Sequence, residues 1–509
     1  GWRFDPVPVV LSGQDWARLS RGAIQRAGLI EAVLADCYGS QGLITTGALP
    51  PALVFGTSDF QRACAGWDRP PRRRVFRYAM DVARRADGTW VVLEDAVDRP
   101  DGDGWALANR VALAQAASEL FVETGVRRLA SHFAEMQAAL DAETGTEGRM
   151  AYLTPGPADP AYFSHAYLAR YLGLTLVEPG DLAVREGEAM VKTLEGLRRL
   201  DVILRGSASG GIDPLYAPGP GAIAPPGVLR AARLGRVTFA NAVGTGLADG
   251  RALAPVSADL IRRVLGEEPE LEEAPHLWLG DPQAQAQLLA ERDRWRVTRL
   301  RSTDMPGRPA ADPLAGFDHA AARRLLAREG WGMVARARVE TAMTPALREG
   351  RLEPAPFALR LFVAAGPQGF RVMAGGLAFT AGEGGVTGLP WQGTSKDVWV
   401  IDPAPDAQPG ATALISQRRR TAHLRRTGRD LLSRVADNLF WLGRYSERAE
   451  LSLRVLKVVI ERMIDAPRQD REPELLHSLL SLQLDPPEVP DPSMGALRSG
   501  ISTPRFRRA

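Results

Sequence analysis

Acidic residues near the ends of two adjacent strands are the first candidates for chemistry in this sequence. Residues 74–97 contain two apolar stretches separated by Asp87-Gly88, a dipeptide typical of a tight turn, and they predict a β-hairpin. Asp81 lies on the first strand, and Glu94 and Asp95 lie near the end of the second. Such carboxylates suit Mg²⁺, which proteins commonly hold through one or two carboxylates together with nucleotide phosphates. The same spacing also fits solvent-exposed hairpin charges.

Candidate phosphate-binding residues are limited because lysine is scarce. Lysine occurs only at Lys192, Lys396 and Lys457, and the other basic residues are arginines. Two glycine-rich stretches, 206–211 and 382–388, are candidate loops whose backbone N–H groups could bind oxyanions. The sequence contains no G-x-x-x-x-G-K-[ST] motif, which excludes a P-loop.

The composition is that of an ordinary globular protein. Of the 509 residues, 45% are hydrophobic and 24% are charged, and the formal net charge is only +3. No apolar run approaches the length of a membrane span, and the N-terminus lacks a signal-peptide layout, so we predict a cytoplasmic protein without membrane association. Short arginine runs at 418–420 and 425–426 raise nucleic acid as a third, weaker candidate partner, although such runs are usually solvated surface.

The elements that must position these residues alternate between strands and helices. This alternation indicates a layered α/β core, predicted to cover residues 1–402 and to be incomplete at its N-terminus. A Pro-, Asp- and Gly-rich stretch begins a predicted linker over 403–429. One continuous amphipathic pattern then predicts a helix from about Asp430 to Ile464, within a truncated helical segment over 430–484. Because one helix cannot bury its own apolar face, we expect an exposed apolar stripe. Residues 485–509 are predicted to be a disordered tail.

A series of sequence motifs, found in order along the chain, gives a more specific interpretation. In order along the chain they include LEDAVDRPDGDGWALANR, LTPGPADPAYFSHAYLARYLGLTLVEPGDL, LDVILRGSASGGIDPL, FANAVGTGLAD and GTSKDVWVID. Together they resemble the circularly permuted (type 2) ATP-grasp family, which is similar to the synthetase half of glutathionylspermidine synthase. The later phrase LLSRVADNLFWLGRYSERAE resembles the opening of an alpha-E domain. The implied fold class is therefore α/β (α+β), with a permuted ATP-grasp fold followed by a C-terminal helical segment.

The resemblance implies ATP- and Mg²⁺-dependent formation of an amide or peptide bond between a carboxylate and an amine, carried by small molecules or peptides. Alpha-E or transglutaminase-like proteins are implied as partners. The implied metal ligands are Asp81, Glu94 and Asp95. Arg110 and Arg205 are implied to face phosphate or acyl phosphate, and Lys396, with Asp397, to belong to a closing loop. The implied nucleotide or substrate contacts are Lys192, Asn241, Gly244 and Gly246.

Several positions depart from the family pattern, and most of them lose a charge or a metal-binding atom. The strand expected to carry a nucleotide-binding lysine reads WRVTRL, where Arg299 or Arg301 could substitute. The other departures are Ala96, Ala108, Ser164, Gly206, Ala208, Ser209, Gly210 and Phe379. The apolar segments around these positions still resemble the family pattern, so we predict a retained fold with weak or altered ligase chemistry. The alternative is a non-catalytic scaffold that binds a partner.

Overall fold

The computed structural model describes residues 2–144, 148–216, 223–249, 252–300, 312–380, 394–401 and 431–465. The predicted linker, the predicted tail and the glycine-rich stretch 382–388 lie outside these ranges. Numbered in chain order, the strands are β1 (Phe4–Ser12), β2 (Arg77–Arg84), β3 (Trp90–Ala96), β4 (Met150–Leu153), β5 (Thr175–Val177), β6 (Leu182–Arg185), β7 (Glu188–Thr193), β8 (Gly196–Arg199), β9 (Val202–Arg205), β10 (Thr238–Ala240), β11 (Glu272–Glu273), β12 (His276–Trp278), β13 (Trp295–Arg299), β14 (Met333–Ala337), β15 (Met343–Arg348), β16 (Arg351–Gly366), β17 (Gly369–Val372), β18 (Leu377–Thr380) and β19 (Thr394–Ile401).

The helices alternate with these strands. They are α1 (Gly13–Tyr38), α2 (Gly42–Thr45), α3 (Pro51–Phe55), α4 (Asp103–Ala116), α5 (Ser118–Glu123), α6 (Ala130–Asp141), α7 (Tyr162–Leu172), α8 (Val228–Arg233), α9 (Ser257–Leu260), α10 (Pro282–Ala290), α11 (His319–Glu329) and α12 (Ser433–Asp465). The mixed α/β class predicted from the sequence is thereby confirmed. Within the described ranges, no helix combines the length and apolarity needed to cross a membrane.

A nine-stranded sheet forms the centre of the fold. Its main path runs β1-β19-β18-β16-β2-β3-β11, and β15 and β17 also pair with β16. Along β16 the side chains from Phe357 onward are nearly all buried, as expected for a strand covered on both faces. Helices α4 and α6 contribute Trp105 and Phe133 to the core on one face of this sheet, together with Phe362 and Leu377. Helix α1 packs on the opposite face.

Three smaller sheets surround the large one. A four-stranded parallel sheet has the order β10-β9-β4-β5, and β6, β7 and β8 form a separate three-stranded sheet. A small antiparallel sheet has the order β12-β14-β13. One face of this small sheet joins α10 and α11 in an apolar cluster that includes Trp295, Val297, Ala335, Leu288 and Leu326.

The described chain forms two compact units. The first contains the sheets and α1 to α11. The second contains α12 together with Thr193–Glu195, where an antiparallel bridge joins Thr193 to Leu432. The 33-residue helix confirms the continuous helix predicted between Asp430 and Ile464. Its apolar side chains, including Leu439, Leu442 and Leu453, are more than half exposed, which also confirms the predicted apolar stripe.

Candidate active site

The predicted hairpin is confirmed and brings Asp81 and Glu94 to one face of the large sheet. Asp81 on β2 is the cross-strand partner of Glu94 on β3, and residues directly opposite each other in an antiparallel pair share a face. The register continues across β16 to Arg360, across β18 to Leu377 and across β19 to Asp397. We call the face carrying this row the site face.

Asp81 is bound by Arg360, a residue that the sequence interpretation did not single out. The Arg360 Nε donates to Asp81 Oδ1 and its Nη2 donates to Asp81 Oδ2, both at 2.7 Å, and both side chains are buried. Burial raises the pKa of Asp81 and nearby Glu94 acts in the same direction, while Arg360 stabilises the ionised carboxylate. The remaining Nη1 of Arg360 donates to the carbonyl of Asp101 at 3.0 Å. Arg360 therefore links the acidic pair to the loop that follows β3.

Glu94 is the accessible member of the pair. Its side chain is 33% exposed and lies 4.0 Å from the Arg336 guanidinium of β14. Ala96 lies two residues further along β3, on the same face as Glu94, and supplies no oxygen ligand. Within the described ranges, no group of three or more His, Cys, Asp or Glu side chains is arranged to hold a metal ion. Glu94 is the accessible carboxylate of the pair, and Mg²⁺ is often held by one or two carboxylates plus nucleotide phosphates.

Asp95 lies on the opposite face of the sheet, so the structure does not group it with Asp81 and Glu94. Adjacent residues of a strand point to opposite faces, and Asp95 consequently points towards α1. There its Oδ1 accepts from Arg26 Nε at 3.0 Å, and the Tyr78 hydroxyl and Arg26 Nη2 also donate to this carboxylate. The carboxylate of Asp95 thus fastens α1 to the sheet.

Arg110 and Lys396 are also engaged in buried contacts away from Asp81. Arg110 of α4 donates to Asp397 Oδ2 at 2.7 Å and to the Arg127 carbonyl at 2.8 Å. Asp397 is three strands from Asp81, or about 14 Å at ordinary strand spacing. Lys396 lies on β19 rather than in a loop, and its Nζ donates to Asp5 Oδ2 at 2.6 Å on the face opposite Asp397. Its side chain is fully buried.

Arg205 and Asn241 organise the carboxyl edge of the four-stranded parallel sheet, the edge at which such sheets commonly bind ligands. The Arg205 guanidinium donates to the Asn241 carbonyl and to Asp98 Oδ1, both at 2.9 Å, and to the Ala242 carbonyl at 3.0 Å. The Asn241 side chain accepts from the backbone N–H groups of Phe76 and Arg77 at 2.7 and 2.8 Å. Arg205 therefore joins the end of β9 to the segments that carry Asp98 and Asn241, and Asn241 joins its own segment to the start of β2.

The two predicted glycines lie in the turn that follows β10. Gly244 has a φ of +97°, and its carbonyl accepts from the Tyr38 hydroxyl at 2.8 Å. A Cβ on Gly246 would approach the Asp59 Cβ to 3.2 Å. The nearby serine loop is likewise fixed, because the Ser209 N–H donates to Asp98 Oδ2 at 2.6 Å. This part of the site is a tightly hydrogen-bonded edge.

Lys192 lies apart from these groups. It is exposed on β7, in the sheet formed with β6 and β8, and its Nζ donates to the Gly180 carbonyl at 2.8 Å. Of the ten candidate site residues, the structure brings Asp81 and Glu94 together on the site face. It also brings Arg205, Asn241, Gly244 and Gly246 together at the parallel-sheet edge.

The small antiparallel sheet presents arginines towards the site face. Arg336 is paired with His276 on one side and with Arg296 on the other, and its Nη1 donates to the Leu93 carbonyl at 3.1 Å. Arg338 follows at the end of β14. Sequence reasoning missed these arginines, although the alternation of apolar and basic residues in WRVTR and MVARAR indicates one apolar and one basic face. Arg299, the proposed substitute for the missing lysine, instead pairs with Glu329 of α11 at 2.8 Å. Arg301 lies outside the described residues.

Phe379 makes part of the site face apolar. It packs in a buried cluster with Ala83, Val91, Ala274 and Ala358. The site face thus combines a charge-compensated acidic pair with an apolar patch, opposite an arginine-bearing sheet.

A large mixed sheet, a parallel-sheet lobe and a small antiparallel sheet facing a carboxylate pair define an ATP-grasp-type protein. The model of the circularly permuted ATP-grasp type 2 family matches residues 8–381, and the chain belongs to this family. Residues 431–493 match the Alpha-E family, described as a predicted alpha-helical domain with a conserved ER motif.

The relatives found by sequence comparison include proteins of Mycobacterium tuberculosis and Frankia alni. An uncharacterized protein of Mycobacterium tuberculosis is 33% identical over 478 residues, covering 91% of this chain and 52% of the relative. A protein of Frankia alni named "Putative glutamate--cysteine ligase 2-3" is 34% identical over 411 residues, covering 78% of this chain and 46% of that protein. A second Mycobacterium tuberculosis protein is 31% identical over 414 residues, covering 79% of this chain and 74% of its own length. The chain thus spans about half the length of the first two relatives.

Proposed function

We propose that this chain is an ATP-dependent carboxylate–amine ligase-type protein with weak turnover. The observation that carries the proposal is the Asp81–Glu94 pair on the site face, opposite the arginines of the small antiparallel sheet, within an ATP-grasp fold. The ligase name of the Frankia alni relative supports the reaction class. The proposed substrates are a carboxylate and an amine, carried by small molecules or peptides, and alpha-E or transglutaminase-like proteins remain proposed partners.

The reaction has two balanced steps. A substrate carboxylate oxygen attacks the terminal phosphorus of ATP, and ADP leaves; the amine nitrogen then attacks the acyl carbon, and phosphate leaves as the amine loses a proton. Both steps depend on charge neutralisation and positioning. Asp81 and Glu94 would hold Mg²⁺, which supplies positive charge beside the phosphates when it is bound. Arg336 lies close enough to Glu94 to orient anionic groups.

Weak turnover follows from the composition of the site face. Arg360 already occupies both oxygens of Asp81, Ala96 supplies no ligand, and Phe379 places an apolar ring where the family resemblance implies an arginine. Loss of one preorganised charged contact typically lowers the rate about 10²–10³-fold, and such losses need not add. The same three features favour the alternative, a scaffold that keeps the fold and performs no ligation.

An ADP-release assay on the purified, folded chain tests the proposal, with mixed amino-acid, polyamine and peptide acceptors. We expect slow, Mg²⁺-dependent release that Glu94→Gln abolishes, because the amide removes the accessible carboxylate charge. Glu329→Gln is the matched control, since that side chain lies on α11, against the other side of the small sheet, and we expect it to keep the wild-type rate. ADP release that is absent with every acceptor would favour the scaffold.

A further inference from the structure

Arg360 and Asp81 form an enclosed ion pair on the site face. They are cross-strand partners on β16 and β2, and the guanidinium donates to both carboxylate oxygens at 2.7 Å. The two side chains are only 4% and 1% exposed. A divalent cation bound to Asp81 would approach the same two oxygens. The guanidinium therefore occupies the position that such an ion would take on this carboxylate.

The guanidinium of Arg360 is also held on the side away from Asp81. Its Nη1 donates to the Asp101 carbonyl at 3.0 Å. The Asp101 carboxylate is fixed in turn, because Arg99 Nε donates to its Oδ2 at 3.1 Å and His165 Nε2 lies 3.2 Å from its Oδ1. All four of these side chains are mostly or fully buried. A guanidinium held in this way does not move aside readily when an ion approaches.

Arg360 carries a permanent positive charge. Burial lowers its pKa, but the neighbouring Asp81 more than offsets this effect and raises the pKa above its ordinary value. The guanidinium therefore cannot give way by losing its proton. A divalent ion that displaced it would leave a buried cation without this carboxylate, which is strongly unfavourable. Metal binding to Asp81 consequently competes with the ion pair.

Glu94 is the carboxylate that remains available beside this ion pair. Its side chain is 33% exposed and lies 4.0 Å from the Arg336 guanidinium. As the cross-strand partner of Asp81, it has its Cβ about 4.5–5.5 Å from the Asp81 Cβ, close enough for both carboxylates to share one ion. While Arg360 holds Asp81, only one carboxylate of the pair can bind an ion without breaking a buried contact.

We propose that Arg360 is the resident cation of the site face and sets the affinity of this face for divalent metal. Mg²⁺ reaches Asp81 only by displacing the guanidinium, which keeps metal binding weak. A neutral side chain at position 360 would turn Asp81 and Glu94 into a two-carboxylate cation site. This role rests on the proposed function for the use of Mg²⁺ at the site face. Arg360 is a positioning residue, since it acts through Asp81.

Titration of Mn²⁺ into the full chain, followed by the electron paramagnetic resonance signal of the free ion, tests this role without ATP or turnover. We expect weak binding to the wild type. Binding to Arg360→Gln should be about 100-fold tighter or more, because no buried cation has to be displaced. The double variant Arg360→Gln/Glu94→Gln should lose this gain, since one carboxylate of the pair is then missing. Arg371→Gln is the matched control, because it releases a single carboxylate, that of Glu135, and should not bind tightly.

Thermal melting of the same proteins shows whether each variant folds and gives a second readout. Arg360→Gln should melt at a lower temperature than the wild type in EDTA, and Mn²⁺ should raise its melting temperature, because an ion that binds only the folded chain stabilises it. The wild type should respond little to Mn²⁺. Arg360→Lys provides a second variant that keeps the charge but lacks the bidentate geometry, and we expect it to have an intermediate Mn²⁺ affinity.

Mn²⁺ binding to Arg360→Gln and Arg360→Lys that is no tighter than binding to the wild type would overturn the role of Arg360. That result is expected if Asp81 takes up a proton in the variants instead of binding an ion. The proposed function can fail separately. Tight Mn²⁺ binding to Arg360→Gln, together with no ADP release by the wild type or the variants, would sink the ligase proposal alone. ADP release by the wild type with unchanged Mn²⁺ affinity in the variants would sink the role of Arg360 alone.

Discussion

At the scale of single residues, the Asp81–Arg360 pair decides both the stability and the chemistry of the site face. Both side chains are at least 95% buried, and the guanidinium contacts both carboxylate oxygens. A buried ion pair contributes little net stability compared with apolar side chains of the same shape, but removing one partner leaves an uncompensated charge in the interior. Replacing either Asp81 or Arg360 alone is therefore expected to destabilise the chain.

Replacing Arg360 with Met should destabilise the chain by about 3–5 kcal/mol, because the Asp81 carboxylate would stay buried without its partner. Denaturant unfolding followed by circular dichroism measures this change. Arg371→Met is the matched control on the neighbouring strand β17. The Arg371 guanidinium pairs with Glu135 but is 58% exposed, and exposed pairs contribute about 0–1 kcal/mol. Restored stability in Arg360→Met/Asp81→Leu would support the explanation, and a loss below about 1 kcal/mol in the single variant would contradict it.

His132 should make the stability depend on pH below 6.5. Burial lowers its pKa to about 3, and Arg77 acts in the same direction. Since the folded-state pKa lies below the unfolded value of 6.5, the neutral ring's contribution is complete above pH 6.5 and is lost as the pH falls towards 3. His132→Leu should remove this component, a slope of about 1.4 kcal/mol per pH unit between about pH 5.5 and 4. Parallel unfolding free energies for the two proteins across that range would contradict the assignment.

Single residues also show what the sequence could and could not predict. The Asp87-Gly88 turn was enough to place Asp81 opposite Glu94. Asp95 was grouped with them wrongly, because neighbours in a strand point to opposite faces. Arg360 is remote in sequence and reaches Asp81 only through the pairing of β16 with β2, so no local pattern could identify its contact.

At the scale of elements, close backbone contacts hold the edge formed by the ends of β9 and β10. They leave little room for a side chain at the glycine positions of this edge. Gly244 shows the constraint most directly. Its φ of +97° disfavours other residues, and a Cβ there would lie 2.4 Å from the Tyr38 hydroxyl oxygen. Because that hydroxyl also receives a hydrogen bond from the Gln61 N–H at 3.0 Å, the tyrosine ring cannot move without breaking further contacts.

Gly244→Ala should therefore destabilise the chain by about 1–3 kcal/mol more than Gly173→Ala, the difference being the cost of overpacking. Gly173 is a suitable control because its φ is +68° at the end of α7, and a Cβ added there would meet nothing within 4 Å. Both variants share the strain of a positive φ, and only the first adds the clash. Equal unfolding free energies, measured by denaturant titration, would show that the Tyr38 side chain can move aside with little loss of stability.

Elements were predicted well where one local signal was strong. The hairpin and the long C-terminal helix both follow from turn chemistry or helical periodicity. The family resemblance implied that Lys396 belongs to a closing loop, yet it lies on β19 as part of the parallel pairing with β1. That pairing joins segments at opposite ends of the α/β core, and it is specified by tertiary packing rather than by neighbouring residues.

At the scale of the whole molecule, the two compact units differ in how they bury apolar surface. The first has extensive cores on both faces of its large sheet. In the second, α12 leaves aromatic and aliphatic side chains in solvent: Phe440 is 61% exposed, Leu442 63% and Tyr445 59%. A helix gains most of its stability in a protein from packing an apolar face. Because these side chains are exposed, α12 gains little stability from packing.

Amide hydrogen exchange should therefore distinguish the two units in the full chain. We expect amides in the middle of α12 to exchange much faster than those of β16, because the helix can open locally with little loss of buried apolar area. Mass spectrometry of peptides covering residues 433–462 and 357–366 compares the two elements under identical conditions. Protection of α12 equal to that of β16 would mean that its apolar side chains are covered in solution. Repeating the exchange at several protein concentrations would then show whether a second copy of the chain covers them, since self-association would make that protection rise with concentration.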